Sequence, residues 1–145
     1  MTIVVDASIA LKWVLEEPGS DAAEELLEED LAAPSLWLLE AGNALWRRTV
    51  RKELTQAEAE ERLTELAKAP VASVPLEQDL PEAMRLALQL NHPVYDCLYL
   101  ALAKRLGTYV VTADTRFGQA VADHGTYVGH IRVLSPIVRG TGPRM

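Results

Sequence analysis

The sequence predicts an α/β fold: a three-layer domain with a mostly parallel central sheet flanked by helices. Short β-branched or apolar runs alternate with longer helical patterns along the chain, the order that crossover helices between parallel strands produce. The 145 residues are 49% hydrophobic and 24% charged, the composition of an ordinary globular chain that buries about 70% of its unfolded surface. No internal repeat, low-complexity tract or linker divides them. Residues 1–145 are therefore expected to form one domain, with 137–145 as a loose C-terminal tail.

Each element has its own signal. Thr2–Val5 is a β-branched, apolar run that reads as a buried strand ending at Asp6. Ser8–Leu15 carries Ile9, Leu11, Trp13, Val14 and Leu15 in a compact helical turn, closed by Pro18-Gly19. An acidic helix is predicted over Asp21–Leu31, with a short strand around Ala32–Ala33. Pro34-Ser35 opens a helix running to about Lys52, with Ser35 as its expected N-cap. On that helix Leu38, Leu45 and Trp46 form the stripe expected to pack on the sheet, opposite Glu40, Asn43 and Arg47. Thr55 and Glu58 have the spacing of a capping box and start a helix that ends before Pro70. Val71–Val74 is the next strand and Pro81–Leu90 the next helix, broken by Asn91-His92-Pro93. Asp96–Leu106 is a nearly continuous apolar helix stopped by Gly107. Strands at Tyr109–Val111 and Ile131–Leu134 flank a helix over Arg116–Asp123 that closes near Gly125.

Composition limits function before any motif is considered. No apolar run reaches the ~20 residues of a membrane span, and MTIVVDAS lacks the basic and apolar regions of a signal peptide. The single cysteine, Cys97, excludes an internal disulfide framework and fits a cytoplasmic location. Fourteen basic against twenty-one acidic residues give a formal charge of −7, which argues at first against a nucleic-acid partner. The charge is uneven, however: residues 16–30 hold eight acids and no base. Beyond Leu100, Lys104, Arg105, Arg116, Arg132, Arg139 and Arg144 face only two acids, and Arg47-Arg48-Thr49-Val50-Arg51-Lys52 is a second basic cluster.

Four carboxylates carry the candidate chemistry. Asp6 and Asp114 follow predicted strands, at the carboxyl ends where open parallel sheets bind ligands. Asp96 heads the apolar helix after the Pro93 break, and Glu40 lies on the helix from Ser35. Taken singly, each aspartate also reads as a helix cap and Glu40 as a solvated helix residue. Taken together, acids converging on one sheet edge repel and raise one another's pKa, and a divalent cation relieves that. All-oxygen ligands suit Mg²⁺, with Mn²⁺ able to substitute, and no Cys/His spacing suggests zinc. Ser8 and Thr112 place hydroxyls beside Asp6 and Asp114, either as a cap and a strand residue or to orient a carboxylate. His92, His124 and His130 read as structural, since none stands at a recognisable metal-ligand spacing from an acid. Cys97 reads as a small buried hydrophobe rather than a nucleophile.

These residues resemble the PIN-domain ribonucleases, most closely the VapC-type toxins of bacterial toxin–antitoxin pairs. The resemblance rests on four blocks: Val5-Asp6-Ala7-Ser8; Glu40, Asn43 and Leu45; Tyr95-Asp96-Cys97-Leu98-Tyr99-Leu100-Ala101-Leu102-Ala103; and Thr112, Asp114 and Phe117. They run in the family's order over residues 4 to 117. One departure is that Thr115, Arg116, Phe117 and Gly118 supply no further acid after the T-x-D block. The resemblance implies Mg²⁺-dependent endonucleolytic cleavage of RNA, with Asp6, Glu40, Asp96 and Asp114 as metal-holding catalytic residues, supported by Ser8, Asn43 and Thr112. It also implies a homodimer and a small cognate antitoxin, with the acidic stretch and the helices around Trp13, Trp37 and Trp46 as candidate faces. Arg47, Arg51 and Arg116 are candidate phosphate contacts, against the plainer reading of solvated cations at a helix end. For Trp46 a core position is the expectation.

Other functions fit less well. A phosphoacceptor signalling domain needs an acceptor aspartate ending a middle strand and a late lysine, but Val74-Pro75 ends one strand and no lysine follows Val111. An aspartate-nucleophile phosphatase needs D-x-D, which Asp6-Ala7-Ser8 lacks. A PIN nuclease of RNA maturation without an antitoxin, or a non-catalytic RNA-binding module of the same fold, remains an alternative on sequence alone.

Overall fold

The computed structural model describes residues 1–134; the expected tail, with Arg139 and Arg144, lies outside the described residues. The elements follow in the order β1 (Thr2–Val5), α1 (Ala7–Leu11), α2 (Ser20–Glu25), β2 (Asp30–Pro34), α3 (Trp37–Val50), α4 (Gln56–Ala67) and β3 (Val71–Val74). The second half contributes α5 (Leu80–Leu90), α6 (Val94–Arg105), β4 (Val110–Thr112), α7 (Thr115–His124) and β5 (Ile131–Val133). Every strand pairing is parallel, and the sheet order is β3-β2-β1-β4-β5. Val4 of the central strand pairs with Ala32 on one side and Val110 on the other. The chain first builds outward from β1 through β2 to β3, then returns to build β4 and β5 on the other side. The connection therefore reverses between β1 and β4, and such a switch point opens a crevice at the carboxyl ends of the strands.

Strand alternation divides the core in two, because successive side chains point to opposite faces. Val4 packs with Leu45, Leu86, Leu100 and Phe117 on one face. Ile3 and Val5 pack with Ile9, Ala23, Leu31 and Val111 on the other. Helix α6 lies over the sheet with Cys97 to Ala103 all buried, as a helix apolar on every side must be. Among the described residues no helix is long and apolar enough to cross a membrane.

Several expected boundaries move. The acidic helix stops at Glu25, turns through Leu26–Glu28 as 3₁₀, and yields residues 30 and 31 to β2. Acids four apart (Glu24 and Glu28, Glu25 and Glu29) disfavour a continuing helix, while Leu31 gains a buried place beside Ile3. Ser35 is not the cap of α3: Leu36 is, with no side-chain hydrogen bond, and the Ser35 N–H donates to the Val74 carbonyl at 2.8 Å. Asp96 caps nothing either, since Pro93 is the N-cap of α6 and Asp96 sits inside its first turn. The capping box of Thr55 and Glu58 forms with both hydrogen bonds present. Gly107 and Gly125 end α6 and α7 with positive φ, 68° and 86°, a conformation that glycine adopts without a Cβ clash.

The buried stripe of α3 is Trp37, Ala41 and Leu45. Trp46 is 60% exposed and Trp37 4%, which overturns the expectation of a core position for Trp46. The i, i+4, i+8 row beginning at Trp37 faces the core, and Trp46 falls one position past it. Trp37 also donates its indole N–H to Ser73 Oγ at 3.1 Å. Truncating Trp37 to alanine is expected to cost about 3–5 kcal/mol, and truncating Trp46 within about 0.5 kcal/mol. Denaturant melts of the two variants check this; equal losses would contradict the burial assignment.

Candidate active site

Asp6 follows β1, the central strand, and Asp114 follows β4 one residue after Ala113, so both stand over the β1/β4 switch point. Each is also a helix cap. Asp6 Oδ1 accepts from the Ile9 N–H at 3.3 Å, and Asp114 Oδ1 accepts from the N–H groups of Arg116 at 2.9 Å and Phe117 at 3.4 Å. The cap fixes each carboxylate to the sheet edge, so the cap and site readings of these residues are one geometry. Glu40 reaches the same place from α3 and Asp96 from α6. Asp6, Glu40 and Asp114 line a cavity of about 520 Å³ together with Ser8, Asn43, Arg47 and Tyr95.

Neighbouring groups orient every carboxylate. The Ser8 hydroxyl donates to Asp6 Oδ1 at 2.5 Å and itself accepts the Ala113 N–H at 2.9 Å, tying the end of β4 to the first acid. Thr112 Oγ1 accepts the Asp114 N–H at 3.0 Å, and its side chain also hydrogen-bonds Asp6. Tyr99 donates its hydroxyl to Glu40 Oε1 at 2.5 Å. His92 Nε2 hydrogen-bonds Asp96 Oδ2 at 2.7 Å.

The electrostatics agree with this crowding. Burial pushes the Asp6 carboxyl up to about 6; the Ser8, Thr112 and Ile9 contacts pull against that, and the Asp96 charge adds to it. Burial also raises Glu40, with the Tyr99 hydroxyl opposing and Asp96 adding. Asp96 is raised by burial and by Asp114, against the pull of His92. The charge of Asp96 thus reaches two of the other acids, and that of Asp114 reaches Asp96. Burial holds the Tyr99 hydroxyl far above its ordinary range, so it stays a donor. Burial likewise pushes the Cys97 thiol up to about 12, which keeps it a protonated core residue.

The histidine expectation fails at one position. His92 stands four residues before Asp96, and His92, Asp96 and Asp114 offer ligand atoms that all lie within 4.8 Å of one another. The i, i+4 spacing was visible in the sequence, but the Pro93 break concealed that His92 folds back over the start of α6. Tyr99 has no local signal as a partner for Glu40, because 59 residues separate them. Among the arginines, Arg47 lines the cavity and Arg51 does not. Arg116 touches Asp114 through its backbone, and its side chain is exposed. Arg48 is engaged elsewhere, in an ion pair with Glu17 of the acidic stretch.

A hard divalent cation fits this set of crowded carboxylates, since the ionised forms of Asp6, Glu40 and Asp96 are disfavoured without one.

Residues 3–122 match the PIN domain. A ribonuclease VapC12 of Mycobacterium tuberculosis is 32% identical over 119 residues, covering 81% of this chain and 91% of that protein. A ribonuclease VapC3 of Pyrobaculum aerophilum is 35% identical over 128 residues, covering 82% and 94%. A crystal structure of a Pyrobaculum aerophilum protein superposes with a TM-score of 0.68 at 25% identity, over 92% of this chain and 90% of that one. A toxin–antitoxin complex from Klebsiella pneumoniae shares the fold, with a TM-score of 0.62 at 17% identity, over 92% and 97%.

Proposed function

Since the chain belongs to the PIN-domain family, we propose that it is a divalent-metal-dependent endoribonuclease, the toxin of a cytoplasmic toxin–antitoxin pair. The observation that carries this reading is the meeting of Asp6, Glu40 and Asp114 around one cavity at the sheet's switch point, within the field of Asp96. Asp6, Asp96, Asp114 and Glu40 would hold Mg²⁺ or Mn²⁺. When bound, such an ion supplies a water of lowered pKa and neutralises charge building on the phosphate oxygens.

The rest of the work belongs to the protein. Ser8 and the Ile9 N–H hydrogen-bond Asp6, Tyr99 hydrogen-bonds Glu40, and the first N–H groups of α7 hydrogen-bond Asp114. These contacts fix the carboxylates before RNA arrives, so little ordering remains to be done at binding. Asn43 lines the cavity beside Glu40 and offers an amide to a phosphate or ribose group. Attack by water leaves a 5′-phosphate and a 3′-hydroxyl, and the ribose 2′-OH takes no part. Cleavage of RNA that stops with chelator and returns on adding Mg²⁺ supports the proposal; cleavage indifferent to chelator refutes it.

Arg47 lines the cavity and forms no ion pair among the described residues, so it is placed to meet a flanking phosphate. Arg116 extends from the turn after Asp114. Each is expected to contribute about one unit to the slope of log affinity against log salt. Binding titrations of a catalytically dead protein, with and without Arg47→Ala or Arg116→Ala, check this. An unchanged slope in both variants would remove the arginines from the binding surface.

A small antitoxin would cover the acid cavity and the apolar groove beside it. That groove, lined by Leu38, Leu39, Gly42, Asn43 and Leu63, shares Leu39 and Asn43 with the cavity, and an arginine of such a partner suits the carboxylates. Homodimerisation would use the exposed row Leu80, Met84 and Leu88 of α5.

A further inference from the structure

Asp96 lies in the first turn of α6 and Asp114 caps the start of α7, and their ligand atoms lie within 4.8 Å of each other. We propose that His92 and Phe117 form a strut that fixes the position of Asp96 relative to Asp114 and so sets how tightly the site holds its cation; this rests on the nuclease reading above. The path is continuous. His92 Nε2 lies 2.7 Å from Asp96 Oδ2. The His92 ring stacks on the Phe117 ring, centroids 5.0 Å apart and planes 14° from parallel. The Phe117 N–H donates to Asp114 Oδ1 at 3.4 Å.

Both ends of the strut are anchored. Phe117 is fully buried and cannot shift without disturbing the core. The backbone of His92 is set by Asn91, in the left-handed region at φ 51°, by its own N–H to the Ala87 carbonyl at 3.1 Å, and by Pro93 opening α6. A carboxylate only accepts hydrogen bonds, so Nε2 carries the proton and has no lone pair for a cation. His92 is therefore a positioning residue: it occupies one oxygen of Asp96 and leaves the other for the ion. The Asp96 side chain is 26% exposed and without this contact is free to turn toward solvent. Freezing it beforehand removes an ordering cost from cation binding.

The test is Mn²⁺ binding to the metal-free full-length protein by titration calorimetry, with thermal melts of each variant reporting the fold. His92→Leu is expected to weaken Mn²⁺ binding by about 10- to 100-fold without lowering the metal-free melting temperature. His92→Gln keeps an N–H donor and is expected to recover most of that loss, a rescue that a purely structural role would not produce. Phe117→Leu, which keeps apolar volume but loses the flat stacking face, is expected to fall between. Binding by His92→Leu as tight as wild type overturns the proposal. Equal losses in His92→Leu and His92→Gln, with a nitrogen coupling in the wild-type Mn²⁺ spin-echo spectrum, overturn it in favour of direct ligation. Wild-type protein that binds Mn²⁺ no better than Asp96→Asn overturns the metal-nuclease reading itself, and the strut with it.

Discussion

Replacing Asp96 by asparagine is expected to abolish RNA cleavage while leaving the fold intact. The asparagine Oδ1 still accepts from His92 Nε2, and the side chain is nearly isosteric, so packing in the first turn of α6 is kept. What disappears is a negative charge in the cluster proposed to hold a divalent cation. Losing the cation's several kcal/mol of transition-state stabilisation, taken as about 4 kcal/mol, slows cutting by about 10³-fold. Single-turnover cleavage beside circular dichroism checks both halves. Activity within tenfold of wild type by a folded variant would remove Asp96 from the site.

Asp6→Asn is expected to make the metal-free protein more stable, and the sign follows from its environment. Burial raises the folded-state carboxyl from 3.8 to about 6. Below about pH 4 the carboxyl is protonated in both states and contributes nothing. Between pH 4 and 6 the folded protein keeps a proton that the unfolded chain has released, so stability falls as pH rises. Above pH 6 the full penalty stands, on the order of 3 kcal/mol. Asparagine accepts the same Ser8 and Ile9 hydrogen bonds without the charge. The variant should therefore melt roughly 5–10 °C higher than wild type at pH 7.5 in chelator, with the difference gone at pH 4. Added Mg²⁺ should narrow the gap by stabilising wild type alone. Thermal melts at three pH values decide it. A variant less stable than wild type at pH 7.5 would show that Asp6 serves the fold rather than a ligand.

Local signals in the sequence carried the frame of the fold. The run Ile3-Val4-Val5 before Asp6, the Thr55/Glu58 capping box and the apolar stretch over α6 are each readable within about ten residues, and each appears as expected. Asp6, Glu40 and Asp114 were legible as site candidates for the same reason: two follow strands of a parallel sheet, and the third sits on a polar helix stripe. The features that were missed depend on packing. Whether Trp37 or Trp46 faces the core depends on the rotation of α3 against the sheet, and both choices satisfy a helical period. The end of the acidic helix depends on Leu31 being drawn into pairing with β1. Two partners of the acids come from afar or across a break, Tyr99 for Glu40 and His92 across Pro93, while Ser8 stands two residues from Asp6 and only its tether to Ala113 is distant. Position along the chain singled out the carboxylates as candidates, with the nearby hydroxyls of Ser8 and Thr112, but gave no sign of Tyr99 or His92 as their partners.

In the proposed reaction, carboxylates and a divalent ion cut the RNA, and the ribose 2′-OH does not. The most direct test is end-group analysis of RNA cut by the purified protein with Mg²⁺, with chelator, and by Asp96→Asn. Mg²⁺-dependent cuts bearing 5′-phosphates are expected, absent with chelator and absent in the variant. Cuts that persist in chelator and in Asp96→Asn, and that end in 2′,3′-cyclic phosphates, would contradict it.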